Sequence, residues 1–270
     1  MFKILLLLLL TNLCVCEDIY LFNSAINLSQ ATYCDNTNIW KCKTCTKDNN
    51  NLYIYNENSM RFIAGYNKYY NSTYIAIRGT ENMYNWMDDI RFTFSYPYIN
   101  YPYVGVETGL YILYSKIKND LFNQIIKISN KYNTKNLILT GHSMGSIVTF
   151  IPFDLYFNNI NFNNIKLITF GSPRIGNNEF VNMFNSFNNI KSYRITHYYD
   201  IVPHVPQCIL GYNHIPQEIW YDLNNYKYVY CNDSKREDPY CSNSCGYLNC
   251  DSISNHLYYL NVSIGSDGDC

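Results

Sequence analysis

The segment Gly141-His142-Ser143-Met144-Gly145 constrains this chain more than any other. It follows a short apolar run, Leu137-Ile138-Leu139-Thr140, and precedes an apolar, helix-compatible stretch from Ile147 to Phe157. A strand that turns abruptly into a helix needs very small residues two positions before and after the apex, because side chains there collide. Glycine stands at both places. Ser143 is therefore expected at the apex of a strand–turn–helix elbow, its hydroxyl presented and the helix N–H groups aimed at the same point. A serine in an ordinary glycine turn has no need of a buried strand before it and a helix after it.

The flanking sequence fits such an elbow. Thr73 to Ile77 is a compact apolar strand ending at Arg78-Gly79-Thr80, and Ile165 to Phe170 and Ser192 to Thr196 are two more. Between them a long helix is predicted from Thr108 to Lys131. Its Leu110, Leu113, Ile117, Leu121, Ile125 and Ile128 recur at steps of three and four and share one face. Gln217 to Leu223 and Tyr226 to Tyr230 flank Asn224-Asn225, the spacing of a tight hairpin. Strands alternating with helices imply an α/β fold with a mainly parallel central sheet and helices on both faces. With no internal repeat and no Gly/Ser or Pro-rich linker, residues 17–270 read as one domain.

Residues 1–16 read as a secretory signal peptide. Lys3 precedes the apolar run Ile4 to Leu10, and Cys14-Val15-Cys16 offers small residues before Glu17. The run is shorter than the ~20 apolar residues a membrane span needs, so no transmembrane segment is expected after cleavage. The expected location is extracellular or lumenal. A formal net charge of -1 gives no footprint for nucleic acid. The 29 tyrosines are spread along the chain and read as compositional bias. Removing Cys14 and Cys16 from the 11 cysteines leaves an odd number, hence one free thiol or one intermolecular bond. Cys42-x-x-Cys45 suggests zinc in isolation, but export favours disulfides and the later spacings are not finger-like; no metal is expected. Sequons at Asn27, Asn71, Asn232 and Asn261 permit glycosylation.

A serine hydroxyl is a weak nucleophile until a base takes its proton, and in an elbow of this kind the chain order is nucleophile, carboxylate, histidine. Asp200 lies just beyond the strand Ser192 to Thr196 and before Ile201-Val202-Pro203, where the carboxylate belongs. Asp154, on the helix after the elbow, reads as a surface residue. Among the five histidines, His142 adjoins the nucleophile and cannot easily reach its hydroxyl, and His197 precedes the acid. His256, the last, leads by chain order, with His204 and His214 still open. The backbone N–H of Met144 is expected to be one donor to a developing oxyanion.

At this point the chain resembles the fungal-type class 3 triacylglycerol lipases, which are α/β hydrolases. The resemblance rests on Ile77-Arg78-Gly79-Thr80, Asn85-Trp86-Met87-Asp88-Asp89-Ile90, Gly141 to Gly145, Gly171-Ser172-Pro173-Arg174-Ile175-Gly176-Asn177, Asp200-Ile201-Val202-Pro203-His204-Val205-Pro206 and His256-Leu257-Tyr258-Tyr259, in that order. It implies His256 as base, Asp200 as acid and Thr80 as second oxyanion donor. It also implies a lid over the active site, Glu81 to Tyr98, carrying Met83, Tyr84, Trp86 and Met87. Cystine pairs Cys34–Cys270, Cys42–Cys45 and Cys231–Cys241 follow from it as well. Cys245 and Cys250 have no family counterpart and could form an extra local loop, leaving Cys208 unpaired. Ser146 and Glu107 depart from the family pattern, which usually has glycine at the first position and often histidine at the second.

The expected activity is hydrolysis of acylglycerol esters at a lipid–water interface, with no cofactor, because backbone oxyanion donors replace a Lewis acid. An esterase or phospholipase of the same fold is the nearest alternative. A catalytically silent lipid-binding protein is the reading from another class, and intact Ser143, Asp200 and His256 argue against it.

Overall fold

The computed structural model describes residues 18–82, 92–232, 237–245, 249–266 and 268–270. The expected leader and the lid positions Met83, Tyr84, Trp86 and Met87 lie outside the described residues.

Strands run as β1 (Asn49–Glu57), β2 (Met60–Asn67), β3 (Ser72–Ile77), β4 (Phe94–Ser95), β5 (Val106–Glu107), β6 (Asn136–His142), β7 (Asn164–Phe170), β8 (Gly176–Asn177), β9 (Ile190–His197), β10 (Tyr212–Asn213), β11 (Glu218–Tyr221), β12 (Tyr228–Tyr230), β13 (Tyr258–Tyr259) and β14 (Val262–Ser263). Helices are α1 (residues 18–31), α2 (Thr108–Tyr132), α3 (Ile151–Phe157), α4 (Asn178–Asn185) and α5 (Ile253–His256). Eight strands form one sheet in the order β1-β2-β3-β6-β7-β9-β11-β12. The pairs from β3 through β6, β7 and β9 to β11 are parallel, and the outer pairs are antiparallel.

Alternation along the parallel strands feeds two cores. Ile75, Ile77, Leu137, Leu139, Ile165 and Leu167 face the side covered by α2, α3 and α4. Tyr74, Ala76, Ile138, Ile168, Phe170 and Ile195 face the side covered by α1 and the C-terminal segment. Successive strand side chains point to opposite faces, so strands buried on both sides must be apolar throughout.

Helix α2 buries Leu110, Tyr114, Ile117, Leu121, Ile125 and Ile128; each such apolar side chain contributes roughly 1.5–3 kcal/mol. Tyr114 takes the core place that the helical spacing assigns to Leu113, which is only partly buried. The carboxylate of Glu107 caps the helix by accepting the Leu110 N–H at 2.6 Å. Burial pushes its pKa up, against the pull of the Leu110 and Gly109 N–H groups. Asp154 is a correction: it is buried rather than on the surface, and accepts from Tyr114 O–H (2.5 Å) and Lys118 Nζ (2.9 Å) on α2. The predicted helix after the elbow divides into a tight 3-10 turn, Ser143–Phe150, and then α3. Pro152 lies in the first turn of α3, where a missing N–H costs no hydrogen bond. The β11–β12 hairpin is wider than Asn224-Asn225 alone. Asp222 accepts the N–H groups of Tyr226 and Lys227 and closes the turn from outside.

Four disulfides join Cys34–Cys270, Cys42–Cys45, Cys231–Cys241 and Cys245–Cys250, with Cα separations of 5.4, 5.0, 6.1 and 5.5 Å. Cys208 is free and exposed, its thiol donating to Glu237 Oε1 at 3.2 Å. His204 clusters with Cys245 and Cys250, and Glu218 with Cys231 and Cys241. Their sulfurs are already oxidised, so neither group offers the thiolates a metal would take.

Candidate active site

Ser143, Asp200 and His256 come from three loops at the C-terminal edge of the parallel strands. Ser143 follows β6 directly, Asp200 lies three residues after β9, and His256 ends the one-turn helix α5. Ser143 is fully buried with φ 57°, a left-handed conformation that a non-glycine residue adopts only when its surroundings enforce it. Those surroundings are close. A β-carbon on Gly145 would stand 2.1 Å from the Ile77 carbonyl oxygen, and one on Gly141 would stand 2.2 Å from the Gly145 oxygen. The elbow is thus pressed against the end of β3, which delivers Gly79 and Thr80 to the serine. A β-carbon on Gly79 would lie 3.1 Å from that of Ser143. Ser146 Oγ is buried with no hydrogen-bond partner among the described residues.

His256 is fully buried, and its Nδ1 lies 2.9 Å from both Asp200 oxygens. The carboxylate only accepts, so Nδ1 carries the proton. The lone pair is then on Nε2, which has no hydrogen-bond partner among the described residues. Asp200 also accepts the Tyr259 hydroxyl and the Val202 N–H. Burial pushes its pKa up, but His256 and these two donors outweigh it, and the carboxyl is held below its ordinary range.

A helix of four residues cannot hold itself in water, so α5 depends on struts. Ser252 pairs with Asp200 across an isolated parallel bridge and caps the helix by accepting the Asn255 N–H. His197 Nδ1 donates to the Asn255 carbonyl at 2.9 Å, and His142 Nε2 to the His256 carbonyl at 2.8 Å. Tyr33 O–H bonds His142 Nδ1 at 2.9 Å. His214 Nε2 donates to the Pro203 carbonyl at 2.7 Å, and His204 Nε2 lies 3.9 Å from Cys245 Sγ. Of the histidines left open by chain order, the structure therefore brings His256, not His204 or His214, onto the Asp200 carboxylate. Sequence reasoning misses Tyr33, Tyr259 and the struts at His142 and His197. Tyr259, three residues beyond His256, and His142, within the elbow itself, lie in segments already singled out, whereas Tyr33 lies in none.

Arg174 fixes the loop that carries Asp200. Its N–H donates to the Val205 carbonyl (2.9 Å) and Nη1 to the Pro206 carbonyl (2.8 Å). Its other face forms a bidentate pair with Glu237 at 2.6 and 2.5 Å. Burial pushes the Glu237 carboxyl up, and Arg174 more than offsets that, holding it far below the ordinary range.

Met144 is the second residue of the 3-10 turn that starts at Ser143, where backbone N–H groups lack intrahelical partners. Thr80 is half-buried, and its hydroxyl is engaged with Asn82 of its own loop, accepting the N–H at 3.3 Å. It lines a cavity of about 220 Å³ together with Tyr33, Ile253 and Leu257. The arrangement offers a serine at a strained apex, an imidazole whose Nε2 has no hydrogen-bond partner among the described residues, and a buried anion behind that imidazole.

The family model for Lipase (class 3) matches residues 74–210. A lipase of Rhizomucor miehei is 31% identical over 198 residues, covering 71% of this chain and 53% of that protein. The secreted mono- and diacylglycerol lipase 1 of Fusarium solani is 29% identical over 159 residues, covering 55% of this chain and 43% of its own. The match thus spans about half the length of these curated relatives. A solved triacylglycerol lipase, whose catalytic centre is formed by a serine protease triad, superposes with a TM-score of 0.83 at 26% identity. That superposition covers 93% of this chain and 97% of the other. A parallel sheet with a serine elbow after β6, the fold shared with that lipase and the family match over its centre make this chain a member of the class 3 lipases, with their α/β-hydrolase fold.

Proposed function

We propose that the protein is a secreted serine lipase that hydrolyses carboxylic ester bonds of acylglycerols at a lipid–water interface. The observation that carries this reading is the His256 imidazole, bonded through Nδ1 to Asp200, open at Nε2 and packed against His142, the residue that precedes the strained Ser143. Ser143 Oγ attacks the ester carbonyl while His256 Nε2 takes its proton. The oxyanion is received by the backbone N–H groups of Met144 and Thr80. Collapse breaks the ester C–O bond and the alcohol leaves with the proton from Nε2. Water, deprotonated by His256, then attacks the acyl-enzyme and releases the acid. Asp200 orients the ring and stabilises its cation throughout. Export is supported by the leader-like N-terminus, by four disulfides and by a relative described as secreted. From the sequence, Met83, Tyr84, Trp86 and Met87 belong in this reading to a lid.

The test is hydrolysis of short- and long-chain acyl esters by the protein and by Ser143→Ala, with and without emulsified lipid. The lipase reading expects activity that rises on long-chain emulsion and falls by about 10⁶ in the variant. Activity confined to soluble short esters would replace it with an esterase. Equal, negligible activity in both folded proteins would leave a lipid-binding protein.

A further inference from the structure

The four sequons stand in very different surroundings. Asn71 lies in the turn between β2 and β3, exposed, with φ 45°, and Asn261 lies in the turn between β13 and β14, exposed, with φ 63°. In each, a nearby tyrosine hydroxyl donates to the side-chain oxygen: Tyr66 to Asn71 Oδ1 at 2.9 Å and Tyr258 to Asn261 Oδ1 at 3.2 Å. An amide is planar, so anchoring Oδ1 on the protein turns Nδ2 the other way. The Asn71 backbone is fixed too, its carbonyl accepting from Thr134 Oγ1 at 2.5 Å and Asn136 Nδ2 at 3.1 Å. Asn27 differs. It is half-buried in α1 between Ile26 and Leu28, which are 0% and 1% exposed, and its sequon hydroxyl, Ser29 Oγ, is packed against Thr140 Oγ1 at 3.0 Å. Asn232 is followed by residues outside the described ones and is not assigned.

We infer that Asn71 and Asn261 carry N-linked oligosaccharides and that Asn27 stays bare. The inference rests on the secretory reading above and is independent of the hydrolytic one. A glycan is bulky and strongly hydrated, and a folded chain tolerates it only where the asparagine faces water. In the modification, Nδ2 attacks C1 of the first sugar of a lipid-diphosphate-linked oligosaccharide. The C1–N bond forms, the C1–O bond to the diphosphate breaks, the lipid diphosphate departs, and Nδ2 loses one proton. Oδ1 is untouched, so the bonds from Tyr66 and Tyr258 survive the reaction.

The full chain, secreted from a eukaryotic host, is treated with peptide N-glycosidase in ¹⁸O-water and digested under non-reducing conditions. Each asparagine that carried a glycan becomes ¹⁸O-labelled aspartate. Label at 71 and 261 with none at 27 is the expected result. Asn71→Gln and Ser263→Ala should each remove one step of gel mobility, the second while leaving Asn261 in place. The Cys34–Cys270 peptide in the same digest reports passage through an oxidising compartment. Unlabelled 71 and 261 beside a formed Cys34–Cys270 bond would overturn the assignment alone, as would label at 27. Unlabelled sites with both cysteines reduced would overturn the secretory reading and the assignment together.

Discussion

The imidazole of His142 lies against that of His256, ring centroids 4.4 Å apart, and donates from Nε2 to the backbone carbonyl of the same residue. Tyr33 O–H occupies Nδ1, so His142 is a neutral strut beside a ring that becomes a cation in the proposed turnover. A second proton would place two cations in contact. Burial first, and then the His256 charge, hold the His142 pKa down to about 3.

This makes the fold acid-sensitive in a stated direction. The unfolded chain takes a proton near pH 6.5 that the folded one refuses until about 3, so stability is full above 6.5 and is lost as pH falls between those values. The slope is about 1.4 kcal/mol per pH unit for one such group. His204 and His214, also lowered by burial, act in the same sense. Urea unfolding at pH 6.5 and 4.5 should show His142→Gln losing about 2 kcal/mol less than the parent. Identical losses would mean that His142 is not the group refusing the proton.

Gly171 follows β7 with φ 55°, and a β-carbon there would stand 2.7 Å from both Asp200 Oδ2 and His256 Nδ1. Gly171→Ala should therefore act on turnover more than on folding. It would push the acid–base pair apart, at roughly 10²-fold in kcat for a displacement of about 1 Å. Steady-state kinetics beside thermal melts check this, and unchanged kcat would show that the loop yields instead.

The elbow is legible in the sequence because a strand, two glycines and a helix must coincide there for steric reasons. What surrounds it is not. Asp154 looks like a surface residue on its own helix, and only the folded chain brings Tyr114 and Lys118 to it. Tyr114 displaces Leu113 from the core because steps of three and four allow either register locally. The turn joining β1 to β2 uses Asn58 and Ser59 at φ 53° and 63°, without the glycine that advertises such a turn. Tyr33 lies 109 residues from His142, and no local pattern connects them. The sequence carries the residues proposed to react, then, and hides the struts that aim them.

Arg174 and Glu237 are both largely buried, and the arginine ties down the Asp200 loop. Arg174→Met removes one charge and strands the other. The expected cost is about 3–5 kcal/mol, read from urea midpoints. The double variant Arg174→Met with Glu237→Gln should recover part of it, because no buried anion is left unpaired. A single variant as stable as the parent would show that Glu237 finds water or another cation.

The disulfides should rank by the loops they close. Cys34–Cys270 spans 236 residues and ties the segment ahead of β1 to the chain end, whereas Cys245–Cys250 spans 5. Loop entropy in the unfolded chain gives about 5 kcal/mol for the first and about 2 kcal/mol for the second. The short clip, however, ends two residues before Ser252, which pairs with Asp200 and caps the helix bearing His256. Paired Cys→Ser variants separate the two effects. Loss of Cys34–Cys270 should lower the urea midpoint most, with kcat intact below the transition. Loss of Cys245–Cys250 should lower kcat while the midpoint moves less. The reverse ranking would mean that the long tie is slack in the unfolded ensemble and that α5 is held by its hydrogen-bonded struts alone.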